Sequence, residues 1–324
     1  MPRKKKEPPR GRETASSTPP PLPDRRLMER TLARIGRLLE SQEFASVEEA
    51  NAYLEQIMAA GEPPAAEPAT PLEQAQEIVY EALEATGRRR TALARKALAV
   101  SPDCADAYVI LAEQSRDPQE ARRLYEEGVR AGERALGPSV FEHEVGHFWS
   151  IIETRPYMRA RAGLAEVLWY LDERDAAIAH LTDLLRLNPG DNQGVRYTLA
   201  NWLLIAERLA ELEHLLATYP DDYSATWAYT RALLAFRKDG PGPETVARLH
   251  AAFETNPFVP LYLLGAKRLP RQLPAYIGIG DENEAVAYVA DSAEAWVRIP
   301  GALEWLIGVV TRELDRMEPP GGAL

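Results

Sequence analysis

The segment His143-Glu144-Val145-Gly146-His147 has the residue types and spacing of a hydrolytic zinc site. On a helix, H-E-x-x-H puts two imidazoles one turn apart on one face with a glutamate beside them as base. Zinc held this way activates a bound water. Glu166, nineteen residues past His147, offers a third ligand. A zinc-dependent hydrolase using His143, His147 and Glu166 as ligands and Glu144 as base is therefore the enzymatic alternative for this chain. The same stretch also reads as an ordinary amphipathic helix over residues 139–154, with Val145, Phe148, Trp149 and Ile152 on one stripe and His147 at its border. Glu166 falls inside another helix, and no strand is expected nearby to align a peptide substrate. The non-catalytic reading is preferred, with no catalytic residue, metal or cofactor assigned.

Other chemistry finds less support. Cys104 is the only cysteine, so no internal disulfide forms, and it sits in the inter-helix turn Ser101-Pro102-Asp103-Cys104-Ala105 with no basic cluster to activate it. Gly278-Ile279-Gly280 lacks the third glycine or the following Lys-Ser/Thr of a phosphate loop. His180, His214 and His250 each fit the pattern of a helix.

The elements that must carry these residues are helical. Ala, Leu, Glu and Arg recur through the 324 residues, while β-branched clusters are few and short. The net charge of −11 is uneven: residues 1–26 hold 8 Lys/Arg against 3 acidic residues, leaving 30 basic and 46 acidic residues in the rest. Such a body repels phosphate backbones, so no nucleic-acid partner is expected. The basic start is followed by Pro, Gly and Ser rather than an apolar signal region, and no uncharged apolar run approaches the ~20 residues a membrane span needs. A cytoplasmic protein without a membrane span is expected.

Along the chain, residues 1–24 read as a disordered, basic, proline-rich tail. Residues 25–61 read as a separate helical pair, its second helix opened by a Ser46/Glu49 capping box. Residues 62–71 form a Pro-rich linker, and 72–257 a run of helix pairs with an inserted helix at 139–154. Residues 258–317 are expected to wrap and cap the stack, and 318–324 to form a disordered tail. Between Tyr157 and Gly190 the positions Leu164, Ala165, Leu168, Ala177, Leu181 and Pro189 fit the 34-residue tetratricopeptide pattern. Tyr108, Leu111, Ala112, Ala121, Tyr125 and Gly128 repeat it with a shorter turn. The expected fold is all-α: a tetratricopeptide-like helix-turn-helix solenoid with capping helices.

Asn256-Pro257-Phe258-Val259-Pro260-Leu261-Tyr262, Glu284-Ala285-Val286-Ala287-Tyr288 and Gly301-Ala302-Leu303-Glu304-Trp305-Leu306 make the chain resemble the suppressor-of-tumorigenicity seven protein family. Gly146-His147-Phe148-Trp149 and Glu153-Thr154-Arg155-Pro156-Tyr157 are similar to bacterial, soluble tetratricopeptide relatives of that family. The resemblance spans roughly residues 72–316. It implies a helical scaffold with no assigned enzymatic activity.

A solenoid of helix pairs lines its concave face with the first helix of each pair. The register places Arg159, Glu166, Tyr197, Asn201, Trp227 and Arg231 there. Glu166, Asn201 and Arg231 are expected as a polar row flanked by Tyr197 and Trp227, suited to a peptide backbone or carboxylate. The expected partner is a protein or peptide of unknown identity, and a homo-oligomer is an open possibility.

Overall fold

Helix starts are written into the sequence as caps. Thr70 and Glu73 form a capping box ahead of Pro71, and Asp117 accepts from the Gln119 N–H ahead of Pro118. Ser224 accepts from Trp227 N–H, and Asp281 from Glu284 N–H. Each satisfies an N–H that the first helical turn leaves without a partner. The computed structural model describes residue 24, residues 26–59 and residues 68–317, and no strand occurs among them. The expected tails, apart from Asp24, and the expected linker up to residue 67 lie outside the described residues.

In chain order the helices are α1 (Arg26–Glu40), α2 (Val47–Ala59), α3 (Pro71–Glu84), α4 (Gly87–Val100), α5 (Ala105–Gln114) and α6 (Pro118–His143). Then come α7 (Arg155–Tyr170), α8 (Arg174–Leu187), α9 (Val195–Ile205), α10 (Leu209–Thr218), α11 (Ala225–Asp239) and α12 (Pro243–Thr255). The chain closes with α13 (Val259–Leu263), α14 (Glu282–Arg298) and α15 (Ala302–Met317). From α3 to α12 consecutive helices pair, and α5 also packs on α3 and α7, as α11 does on α9. The rings of Trp169 on α7 and Trp202 on α9 stack with centroids 4.6 Å apart, which links the odd-numbered helices into one face. The all-helical, solenoid-like fold is as expected.

Close helix crossings explain two glycines. A Cβ on Gly163 would lie 2.2 Å from the Tyr125 ring, and one on Gly132 would lie 2.7 Å from Tyr157 Cβ. Leu164, Ala165, Leu168, Ala177 and Leu181, the positions that define the clearest repeat, are all buried in one core running from α6 to α15. A smaller core joins α3, α4 and α5 around Val79, Tyr80 and Ile110.

Three regions depart from the sequence expectation. The helix expected over 139–154 stops at His143, and two 3-10 turns, Phe148–Ser150 and Ile152–Thr154, follow. Gly146 takes φ 95°, its N–H donates to Leu187 O at 3.0 Å, and this turn drives Phe148 into the core against Phe141 and Tyr157. Burying Phe148 thus outcompetes the amphipathic helix. Second, α1 is not part of a separate unit, because it lies against α3 and the Ile152–Thr154 turn. Third, residues 265–280 do not wrap the stack, since nearly all of their side chains face solvent.

Candidate partner-binding face

The H-E-x-x-H residues do not share a helix face. His143 ends α6, exposed, with its Nδ1 2.9 Å from Ser139 O, whereas His147 follows the Gly146 turn and is also exposed. The one-turn spacing that the motif needs is lost between them. Glu166 lies in the middle of α7. Among the described residues no group of three or more His, Cys, Asp or Glu is gathered as a metal cage.

Helices α3, α5, α7, α9 and α11 form a common face, and two other helices of the same chain lie across it. At the N-terminal end the cover is α1. Its buried Glu29 accepts two bonds from Arg159 on α7, each 2.9 Å, and lies 3.4 Å from Arg155. Arg159 also donates to the buried Asp106 on α5 at 2.7 and 2.8 Å, and Gln76 on α3 donates to the same carboxylate at 3.0 Å. Burial pushes the Asp106 carboxyl up, but the charge and hydrogen bonds of Arg159 outweigh it and hold the group below the ordinary carboxylate value. Arg30 and Arg37 reach Glu77 on α3 at 2.8 Å, and Arg26 reaches Glu113 on α5 at 3.1 Å. Arg159, expected to line an open groove, is a buried tie between three helices. Beneath α1 these long side chains leave a cavity of about 350 Å³ bordered by Leu32, Gly36, Tyr80 and Ile151.

At the C-terminal end the cover is α14, which packs on α9 and α11. Asn201 donates to Asp291 O at 2.6 Å, so it is occupied by the chain itself. Glu284 accepts from the N–H of Ala225 and from Asn256, both at 2.9 Å. Tyr229 and Tyr288 pack against each other between α11 and α14, their rings tilted and their centroids 5.5 Å apart. Tyr197 and Trp227 meet edge to face, with the guanidinium of Arg196 over both rings and over Tyr219. Arg196 in turn binds Asp191 at 3.1 Å and Asp222 at 2.8 Å. Trp227 is fully buried, its Nε1 donating to Tyr219 O at 3.0 Å. Arg231 turns toward α10, within 3.4 Å of Leu216 O and Pro220 O, and does not join Asn201 and Glu166 in a row.

Between the two covers a short stretch of the face stays open, and Glu166 is exposed there. Partial desolvation by the surrounding helices first, then the negative charges of Glu113 and Asp291, push its carboxyl above the ordinary value, and partial desolvation does the same for Asp291. Glu113 is neutralised by Arg26 and Arg90, whereas the carboxylates of Glu166 and Asp291 have no ion pair among the described residues. Asp291 was not foreseen. Its position follows from how α14 crosses the face, and no local pattern in the sequence carries that.

The family model of the ST7 protein matches residues 69–319, which takes in every helix from α3 to α15. The chain belongs to the ST7 protein family. "Suppressor of tumorigenicity 7 protein-like" of Bos taurus is 31% identical over 240 residues, covering 67% of this chain and 43% of that protein. The Rattus norvegicus protein of the same name is 32% identical over the same length. "Suppressor of tumorigenicity 7 protein" of Macaca fascicularis is 30% identical over 231 residues, covering 63% of this chain and 42% of the relative. The chain thus spans less than half the length of these curated relatives. The family match begins just before α3, so α1, which covers the N-terminal end of the face, lies outside it.

Proposed function

We propose that the protein is a non-catalytic, cytoplasmic scaffold of tetratricopeptide-type helix pairs that holds a protein partner on the open stretch of its inner face. The observation that carries this reading is that Glu166 on α7 and Asp291 on α14 lie near enough for the charge of Asp291 to act on Glu166, with no cation paired to either among the described residues. These two carboxylates come from distant parts of the chain, on α7 and α14. An extended segment of a partner with Lys or Arg side chains would relieve that repulsion and form charge-assisted hydrogen bonds. The bend at Gly146 supports the non-catalytic part, because it separates the two imidazoles that a zinc hydrolase would align on one helix.

The reading is tested by affinity purification with the wild type and a Glu166→Gln/Asp291→Asn variant, quantified by mass spectrometry. A partner with a basic segment should be lost from the variant, and an unchanged set of partners removes this face from consideration. Elemental analysis tests the other half: stoichiometric zinc that disappears in a His143→Ala/His147→Ala variant would overturn the non-catalytic assignment.

A further inference from the structure

The stretch between α13 and α14 carries Leu269, Leu273, Tyr276, Ile277 and Ile279, and apolar residues at that density ordinarily fold back onto a core. Here all five are between 41 and 77% exposed. Scattered single apolar residues on a surface are unremarkable, but a run of large ones within eleven positions marks a surface that something covers.

The stretch is displayed from a fixed base. Lys267 N–H donates to Leu261 O at 2.8 Å, and its ammonium lies 2.5 Å from Glu282 and 5.6 Å from the centre of the Phe258 ring. At the other end Asp281 accepts from Gly278 N–H at 2.9 Å, and Asn256 donates to Asp281 O at 2.9 Å. Pro270 and Pro274 limit the backbone between these anchors.

Charge indicates what lies opposite. In a strongly acidic protein, no Asp or Glu occurs from residue 265 to residue 280. Lys267 is taken up by Glu282, while Arg268 and Arg271 are exposed and make no ion pair among the described residues. Aliphatic side chains, a tyrosine and two free guanidinium groups on one irregular loop match the layering of a membrane interface. There, acyl chains lie under a phosphate-rich headgroup zone, and tyrosine sits at the boundary. Anionic lipid adds attraction for cations close to the surface.

We propose that residues 268–279 form a lipid-docking loop, which seats Tyr276, Ile277 and Ile279 at the headgroup level of an anionic bilayer while Arg268 and Arg271 meet its phosphates. The loop lies on the surface and does not span it, and no helix among the described residues is long and apolar enough to cross a membrane. This inference does not depend on the face between α1 and α14.

The test is co-sedimentation of the full chain with vesicles of phosphatidylcholine alone and of phosphatidylcholine with about a quarter phosphatidylserine, at low and high salt. The wild type should partition onto the serine-containing vesicles, more weakly onto phosphatidylcholine, and less at high salt. Tyr276→Ser/Ile277→Ser/Ile279→Ser should lower partitioning about tenfold or more. Arg268→Gln/Arg271→Gln should remove the preference for anionic lipid. All five side chains are exposed, so both variants should keep the wild-type circular dichroism and melting temperature. The proposal is overturned by three results: no binding to anionic vesicles, equal binding by the triple variant, or a vesicle-inert wild-type dimer that the triple variant converts to a monomer. The last would assign the patch to a second copy of the chain.

Discussion

The two ends of the inner face are covered by helices of the same chain, but by different physics. At the N-terminal end α1 is tied down by arginine–carboxylate pairs: Glu29 with Arg155 and Arg159, Glu77 with Arg30, Arg34 and Arg37. A cavity of about 350 Å³ remains beneath it. At the C-terminal end α14 inserts Ala285, Tyr288, Val289 and Trp296 into the main core. A cover made of long charged side chains can lift without exposing much apolar surface, whereas one made of buried rings cannot lift without opening the core. The C-terminal cover is therefore part of the fold, and the N-terminal one is an attachment to it. The family match agrees, since it includes α14 and leaves out α1.

The largest effect should come from Trp296→Ala. The indole is fully buried, donates to the Tyr288 hydroxyl at 2.8 Å and stacks near Trp305. Its removal should destabilise the chain by about 3–5 kcal/mol in denaturant unfolding. A loss under about 1 kcal/mol would erase the distinction between the two covers.

Arg159→Ala comes next. It leaves Glu29 and Asp106 buried without their main cation, which costs about 3 kcal/mol. Hydrogen exchange should locate the damage in α1, α3 and α5 and leave α14 as protected as in the wild type. Equal loosening of both covers would show that they are one cooperative unit.

The smallest effect sharpens the comparison through pH. Glu166 is held above its ordinary carboxylate value, so at neutral pH the folded state carries a charge it disfavours, and Glu166→Gln should stabilise by up to about 0.5 kcal/mol. That gain should fade as the pH falls and the wild-type carboxyl takes up a proton. Asp106 has the opposite sign. Its carboxyl is held below the ordinary aspartate value of 3.8, so its contribution is present at neutral pH and is lost as the pH falls through 3.8 toward the folded value. Thermal melts of the wild type and Glu166→Gln across the acidic range should show both trends, and a stability difference independent of pH would contradict the assignment.

The helix pairs were legible because apolar periodicity and caps are local. The buried positions Leu164, Ala165 and Leu168 of α7 and Ala177 and Leu181 of α8 lie where the repeat pattern placed them. What covers the inner face was not legible. Periodicity tells which side of α9 is apolar, and nothing in it says that Asn201 would meet a carbonyl ninety residues away. Arg159 looked like a groove residue because its register was read correctly while its acidic partner on α1 was unknown. The break after His143 was missed for a related reason: the stripe of Val145, Phe148 and Trp149 suits a helix, but Gly146 allowed a turn that buries Phe148 more completely.

The single thiol makes the attachment of the N-terminal end measurable. Cys104 is buried at the start of α5, its Sγ 3.7 Å from Gln76, and burial together with the charge of Asp106 pushes its pKa up to about 12. A thiol reagent reacts with the thiolate, so Cys104 should be silent in the closed stack and react only when α3 and α5 part. Its labelling rate is then a clock for local opening, set by the same residues that tie α1 down. With no second cysteine in the chain, that clock needs no mutation to read.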